Sequence, residues 1–119
     1  MLFIILPYPP SVNSYWGFKG SHRFLTKKAK DFKEIVRWKF IQSNHKGFGK
    51  ERLIVNIVLH APDKRIRDLD NSVKSLLDAC CQAGMFDDDS QIDKITIERG
   101  AITKGGLCHI FIENNSCLL

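Results

Sequence analysis

Two aspartates, Asp68 and Asp70, stand two residues apart in "KRIRDLDN", directly behind Lys64, Arg65 and Arg67, and Lys74 follows four residues after Asp70. In extended backbone, residues i and i+2 point to the same side, so both carboxylates can face one point in space. Where the following helix begins at Asp70, Asp70 and Lys74 share one helical face, about 5–6 Å apart at Cβ. Clustered carboxylates repel one another away from water, and a divalent cation relieves that repulsion. Hard oxygen ligands are what Mg2+ prefers, commonly one or two carboxylates completed by substrate phosphate and water. Such an ion polarises a phosphoryl oxygen and lowers the pKa of a bound water. The basic side chains beside it then suit the rest of a phosphate chain. The plainer reading is a helix start, with Asp70 as N-cap and Asp70–Lys74 an ordinary helix pair.

A second acidic cluster, Asp87, Asp88 and Asp89, comes after Gly84. The intervening helix, read as roughly fourteen residues, spans about 20 Å, so the cluster starts at its far end. Spacing alone leaves three arrangements open: one of these aspartates returns to Asp68 and Asp70, a second subunit supplies it, or "DDDS" is an acidic turn.

The elements that must hold these residues are legible in outline. Residues 2–6 read as a strand ending at "PYPPSVNSYW", whose prolines and Asn13 mark an ordered, non-helical loop. The aromatics Tyr8, Tyr15, Trp16 and Phe18 there suit packing over the core, with base stacking as the second use. Thr26 is the N-cap of a helix from about Lys27 to Ser43, with Ala29, Phe32, Ile35, Val36, Lys39 and Phe40 on the inner stripe. Lys27, Lys30, Lys33 and Arg37 form its basic outer surface, and Gly47 is its C-terminal signal. "RLIVNIVLHA" is a strand ending at Pro62. Val73, Leu76, Leu77, Cys80 and Ala83 give one face of a second helix stopping at Gly84. "QIDKITIER" is a strand, "TKGG" a turn, and "LCHIFIE" the return strand of a hairpin. The expected architecture is α/β (or α+β): a small mixed sheet with two main helices, order β-α-β-α-β-β.

At 119 residues the chain is expected to form a single domain. "MLFIIL" has no basic segment ahead of it and stops at Pro7, so it reads as a strand and not as a secretory signal. No run of about 18 apolar residues is present, so no membrane-spanning helix is expected. Cys80, Cys81, Cys108 and Cys117 show no Cys-x-x-Cys motif. They read as reduced, mostly buried thiols of a cytoplasmic protein. The net charge of +5 is unevenly distributed. Residues 1–52 carry eleven Lys/Arg against three acids, and residues 63–93 carry four against eight. A basic half suits a polyanionic partner such as nucleic acid. Within a basic protein, the acidic centre is the more informative part.

"LPYPPSVNSYW", "RIRDLDNSVKSLLDACCQAGMFDDDSQID" and "TKGG" together resemble the RusA family of Holliday junction resolvases, in the same order and spacing. The resemblance runs from near residue 4 to about residue 113. It implies a RusA-like fold and a homodimeric, Mg2+-dependent endonuclease that nicks four-way DNA junctions symmetrically in recombination and repair. By motif position it implies metal-binding aspartates at Asp68, Asp70 and Asp89, with Asp88 as the substitute for Asp89, and a functional lysine at Lys74. Asn71 completes the D-L-D-N signature, and Asn13 falls in the N-terminal loop motif without an assigned role. The DNA-binding set is then Lys64, Arg65, Arg67, Asn71, Lys27 and Lys30. The family's basic run is often denser, and Ile66 interrupts it here. Family members are often encoded by prophages, and the chromosomal setting is equally open. The competing readings are a non-catalytic junction- or nucleic-acid-binding module of the same fold and a protein-interaction domain with charged decoration. The intact Asp68, Asp70, Lys74 and Asp89 set argues against the former.

Overall fold

The computed structural model describes residues 1–116. Cys117 and the chain end, expected to be loose, lie outside the described residues. The order is β1 (Leu2–Leu6), α1 (Val12–Tyr15), β2 (Trp16–Lys19), β3 (His22–Leu25), α2 (Lys27–Gln42), β4 (Leu53–His60), α3 (Val73–Ala83), a 3-10 turn (Asp89–Gln91), β5 (Ile92–Arg99) and β6 (Leu107–Asn114). The expected β-α-β-α-β-β order holds for the main elements. A short helix and a hairpin are inserted ahead of α2, in a stretch read as loop. The prolines do not prevent α1, because they end at Pro10 and extended Ser11 takes the N-cap position before the first helical residue.

The main sheet is mixed, with strand order β1-β6-β4-β5. The expected β5–β6 hairpin is not formed. β4 lies between the two, parallel to β5 and antiparallel to β6. Burial explains the choice. β4 alternates buried and half-buried residues along its whole length, as does most of β6, whereas β5 is exposed at most positions. The two strands with a full apolar face therefore pair at the centre, and the polar one takes the edge. The link from β5 to β6 passes the end of β4, where the Gly100 and Thr103 amides donate to the Leu59 and Ala61 carbonyls, both at 2.9 Å. "TKGG" then turns the chain into β6 through left-handed Gly105 and Gly106.

One sheet face carries the core. Leu2, Ile4, Leu6, Val55, Ile57, Ile110 and Ile112 meet Phe32, Val36 and Phe40 of α2 and Leu76, Leu77 and Cys80 of α3. Thr26 caps α2 as expected, its side chain accepting from the Ala29 amide at 3.2 Å. Ile35 departs from the expected stripe and is largely exposed. The left-handed residue ending α2 is Asn44, at φ 59°, and not Gly47. Gly47 serves another purpose: a Cβ there would come within 2.5 Å of the Gly84 carbonyl oxygen, so the loop after α2 can touch the end of α3 only as glycine. α3 ends at left-handed Gly84 as expected, but Ser72 and not Asp70 holds its N-cap position, which shortens it to 11 residues.

Cys80 and Cys108 are buried free thiols and Cys81 is half-buried. Burial pushes the Cys108 thiol up to about 12, so it stays protonated and unreactive. Among the described residues, no helix is long and apolar enough to cross a membrane.

Candidate active site and nucleic-acid interface

A cleft of about 630 Å³ opens between the proline-rich loop and the segment leading into α3. Pro9, Pro10, Ser11 and Ser14 form one wall. Arg65, Ile66, Arg67, Asp68 and Asn71 form the other, and Lys28 of α2 reaches in from the side. Two bonds fix the walls to each other: the Val12 amide donates to the Asn71 carbonyl at 2.8 Å, and the buried Ser75 hydroxyl donates to the Pro10 carbonyl. The motif "PYPPSVNSYW" thus builds a wall facing the first aspartate of "RDLD".

Asp63 organises the basic side chains, a role that sequence reasoning missed. Its carboxylate accepts from the Arg67 guanidinium at 2.7 Å and from the Arg65 amide at 2.9 Å. These contacts pull its pKa down to about 2, the Arg67 bond contributing most. Arg67 also lies over the Tyr8 ring, and its carbonyl accepts from Arg99 at 2.8 Å. Arg67 is therefore held in place, while Arg65, its guanidinium 3.5 Å from the Asp63 carboxylate, and Lys64 are exposed to solvent. Ile66 is 98% exposed between them.

Lys74 faces the opposite side of α3's first turn. Its ammonium sits 3.0 Å from the Asp89 carboxylate, and that hydrogen bond raises its pKa. It shares a groove of about 240 Å³ with Tyr15, Lys33 and Asp78. Asp78 accepts from the Tyr15 hydroxyl and pairs with Lys33 at 3.2 Å. The expected Asp70–Lys74 helix pair is replaced by Lys74–Asp89, because Asp70 lies in the turn before α3 and off its helical surface.

The acidic turn is built around Gln91, which is buried although polar. Its side-chain oxygen accepts from the Asp87 and Asp88 amides at 3.1 and 2.9 Å. Its side-chain nitrogen donates to the Gly49 and Glu51 carbonyls at 2.9 and 2.6 Å. Asp88 completes a capping box by accepting from the Ser90 amide, and its hydrogen bond with the Ser90 hydroxyl, followed by that amide bond, lowers its pKa. Asp88 is thereby committed to the turn, and Asp89 is the one directed at Lys74.

The model for "Endodeoxyribonuclease RusA" matches residues 7–113. The chain belongs to the RusA family. Among its relatives, the crossover junction endodeoxyribonuclease rusA of Enterobacteria phage HK97 is 40% identical over 102 residues, covering 86% of this chain and 85% of the relative. The proteins of the same name from Enterobacteria phage 82 and Escherichia coli K12 are each 31% identical over 110 residues, covering 92% of this chain and 91% of theirs. RusA relatives thus occur in both phage and bacterial sources.

The structure gathers the expected RusA site residues into two groups. Asp68, Asn71, Arg65 and Arg67 share the cleft, and Lys74 meets Asp89 outside it. Asp70 is exposed and lines neither space. Among the described residues, no three His, Cys, Asp or Glu side chains converge as a metal-binding group, so Asp68, Asp70 and Asp89 do not close one cage. The donors nonetheless fit a hard divalent cation of the Mg2+ type, which is usually held by one or two carboxylates and completed by phosphate and water. Of the expected helix lysines, Lys27 is paired with Asp31 at 3.1 Å, Lys30 is exposed, and the one lining the cleft is Lys28. Nothing in the spacing of "TKKAK" distinguishes Lys28; its position follows from where the proline loop packs. Asn13 is exposed on α1.

Proposed function

We propose that this chain is a Holliday junction resolvase, one RusA-like domain over residues 1–119, making symmetric nicks in four-way DNA junctions during recombination and repair. The observation that carries this reading is the cleft in which Asp68 and Asn71 sit beside Arg65, Arg67 and Lys28. Carboxylate oxygens suit a cation at the reacting phosphate, and the flanking cations suit the phosphates on either side. Asp68 and Asp70 would hold Mg2+, with Asp89, which does not converge on them within one chain, supplied by a second copy or by a rearrangement on DNA binding. The ion when bound would supply Lewis-acid polarisation of the scissile phosphate and a more acidic water. Lys74, kept cationic by Asp89, serves the scissile phosphate or the attacking water. Arg65 and Lys64 grip the backbone, while Asp63 keeps Arg67 at the rim. Cutting two opposing strands calls for two copies of the site, which a homodimer supplies. The cytoplasm, where DNA and Mg2+ are both present, is the expected setting.

The test is cleavage of a synthetic four-way junction. Purified protein with Mg2+ should nick the junction, leave linear duplex largely intact, and lose activity with chelator. Asp70→Asn should bind the junction as wild type does while cutting at least a hundred-fold more slowly, since a metal ion contributes several kcal/mol to such a step. Junction binding without chelator-sensitive cutting would establish the non-catalytic module instead. An Asp70→Asn protein that cuts at the wild-type rate would remove Asp70 from the site.

A further inference from the structure

The β2–β3 hairpin takes no part in the site described above. It pairs with no strand of the main sheet, and none of its residues belongs to the core cluster. Residues 18–24 are exposed without interruption. Exposed polar residues there would need no explanation, but two are phenylalanines: Phe18 is 70% exposed and Phe24 42%. Cross-strand register pairs Phe18 with Arg23 and Gly17 with Phe24, so the two rings lie on opposite faces. On one face the Arg23 guanidinium lies 3.9 Å over the Trp16 ring, next to Phe18. On the other the Phe24 ring lies flush on Gly17, where a Cβ would come within 2.5 Å of it. Both faces therefore present flat groups edged by Lys19, His22 and Arg23.

The arm is exposed at its tip and fixed at its base. The Thr26 hydroxyl donates to the Ser14 carbonyl at 2.6 Å and the Thr26 amide to the Tyr15 carbonyl at 3.1 Å. Ser14 and Lys28, on either side of that anchor, both line the Asp68 cleft. A four-residue strand spans about 13 Å, close to four nucleotide steps at about 3.4 Å each. Based beside the cleft, an arm of that length extends over about four nucleotides. Charge selects the occupant: residues 1–30 contain no Asp or Glu at all.

We propose that the β2–β3 hairpin is a base-stacking arm that engages unstacked nucleobases at the branch point, with Phe18 as its main platform. This deepens the resolvase reading and rests on it. Phosphate contacts need only the cations. The exposed rings need a π-face that intact duplex keeps covered and a branch point can offer. Aromatic stacking on bases is largely indifferent to sequence, and the salt dependence of binding comes from the phosphate contacts, so the arm adds structure selectivity without base reading.

The test compares wild type, Phe18→Ala and Phe18→Tyr for binding to a four-way junction and to linear duplex, in chelator, across a salt series. The junction carries 2-aminopurine at its branch point. Phe18→Ala should lose on the order of ten-fold in junction affinity, keep its duplex affinity and salt slope, and abolish the wild-type change in 2-aminopurine fluorescence. Phe18→Tyr should restore all three. Since Phe18 is exposed, thermal melting should match wild type in both variants. Equal junction binding and fluorescence by wild type and Phe18→Ala would overturn the arm while leaving the resolvase reading intact. A shift of oligomeric state in Phe18→Ala, read by sedimentation, with an unchanged fluorescence response would overturn it in favour of a contact between copies. A wild type that does not prefer the junction would remove both readings.

Discussion

The two acidic segments of this molecule are alike in composition and opposite in construction. Asp68 and Asp70 are exposed, in a segment where Asp63 pairs with Arg65 and Arg67. Asp87 to Asp89 sit on a turn fixed through Gln91, with Asp88 used as a cap and Asp89 held by Lys74. The first pair is free to accept a cation with no bond to break. The second can contribute Asp89 only if Lys74 lets go or shares it. One segment thus leaves its carboxylates open to solvent, and the other is held by its own contacts, with Lys74 on Asp89.

Substituting within the triplet gives the largest effect expected of this contrast. Asp89→Asn should slow junction cutting by about a hundred-fold or more, as loss of a metal ligand would. Asp88→Asn should stay within about two-fold, because Asn caps a helical turn about as well as Asp. Cleavage rates at saturating junction decide it. The reverse ranking would mean that the capping box opens on DNA binding and Asp88 is the ligand. Lys74→Ala comes next, about a hundred-fold in rate if the ammonium assists proton transfer or phosphate charge. Its effect on stability should stay below about 0.5 kcal/mol, since the Lys74–Asp89 pair is exposed. The raised pKa has a defined sign. Its contribution to stability is complete below the unfolded value and is lost only as pH rises through the higher folded one. Lys74 should therefore remain a cation, and the rate should show no Lys74 titration, from about pH 6 to 9.

Gln91 tests the rigid half of the comparison. Gln91→Leu removes the partner of the Asp88 amide and the Glu51 carbonyl and one of the two donors to the Gly49 carbonyl at a part-buried turn, a cost of about 1 kcal/mol. Denaturant unfolding should register that loss. Junction affinity should hold, because the phosphate grips lie on the other segment. A fall in affinity equal to the fall in stability would show that the two segments are mechanically one.

Sequence reasoning reached the elements whose signals are local. The Thr26 cap, the Gly84 stop and the apolar face of α3 are each written in a few neighbouring residues. It went astray where the answer depends on distant partners. "TKGG" resembles a hairpin turn, yet the apolar alternation of β4 and β6 places β4 between the strands that the turn separates. Gly47 resembles a helix stop, yet its role is contact with Gly84. The site followed the same rule. The Asp68 and Asp70 motif and the triplet were visible as chemistry, and the resemblance aligned them. That Asp89 meets Lys74, that Asp63 restrains Arg67 and that Lys28 enters the cleft are all contacts set by packing.

The smallest expected effect concerns the open segment's rim, where Ile66 stands almost fully exposed between two arginines. A side chain so exposed adds nothing to the core, so its replacement should not change folding. Ile66→Arg places one more cation beside the cleft and should neutralise one further phosphate. The slope of log affinity against log salt should then steepen by about 0.9, with roughly five-fold tighter junction binding at low salt. Linear duplex should gain by a similar factor, because a phosphate contact carries no structural preference. An unchanged slope would mean that DNA does not pass over this rim. A gain confined to the junction would place residue 66 at the branch point itself, beside the bases that the hairpin is proposed to stack on.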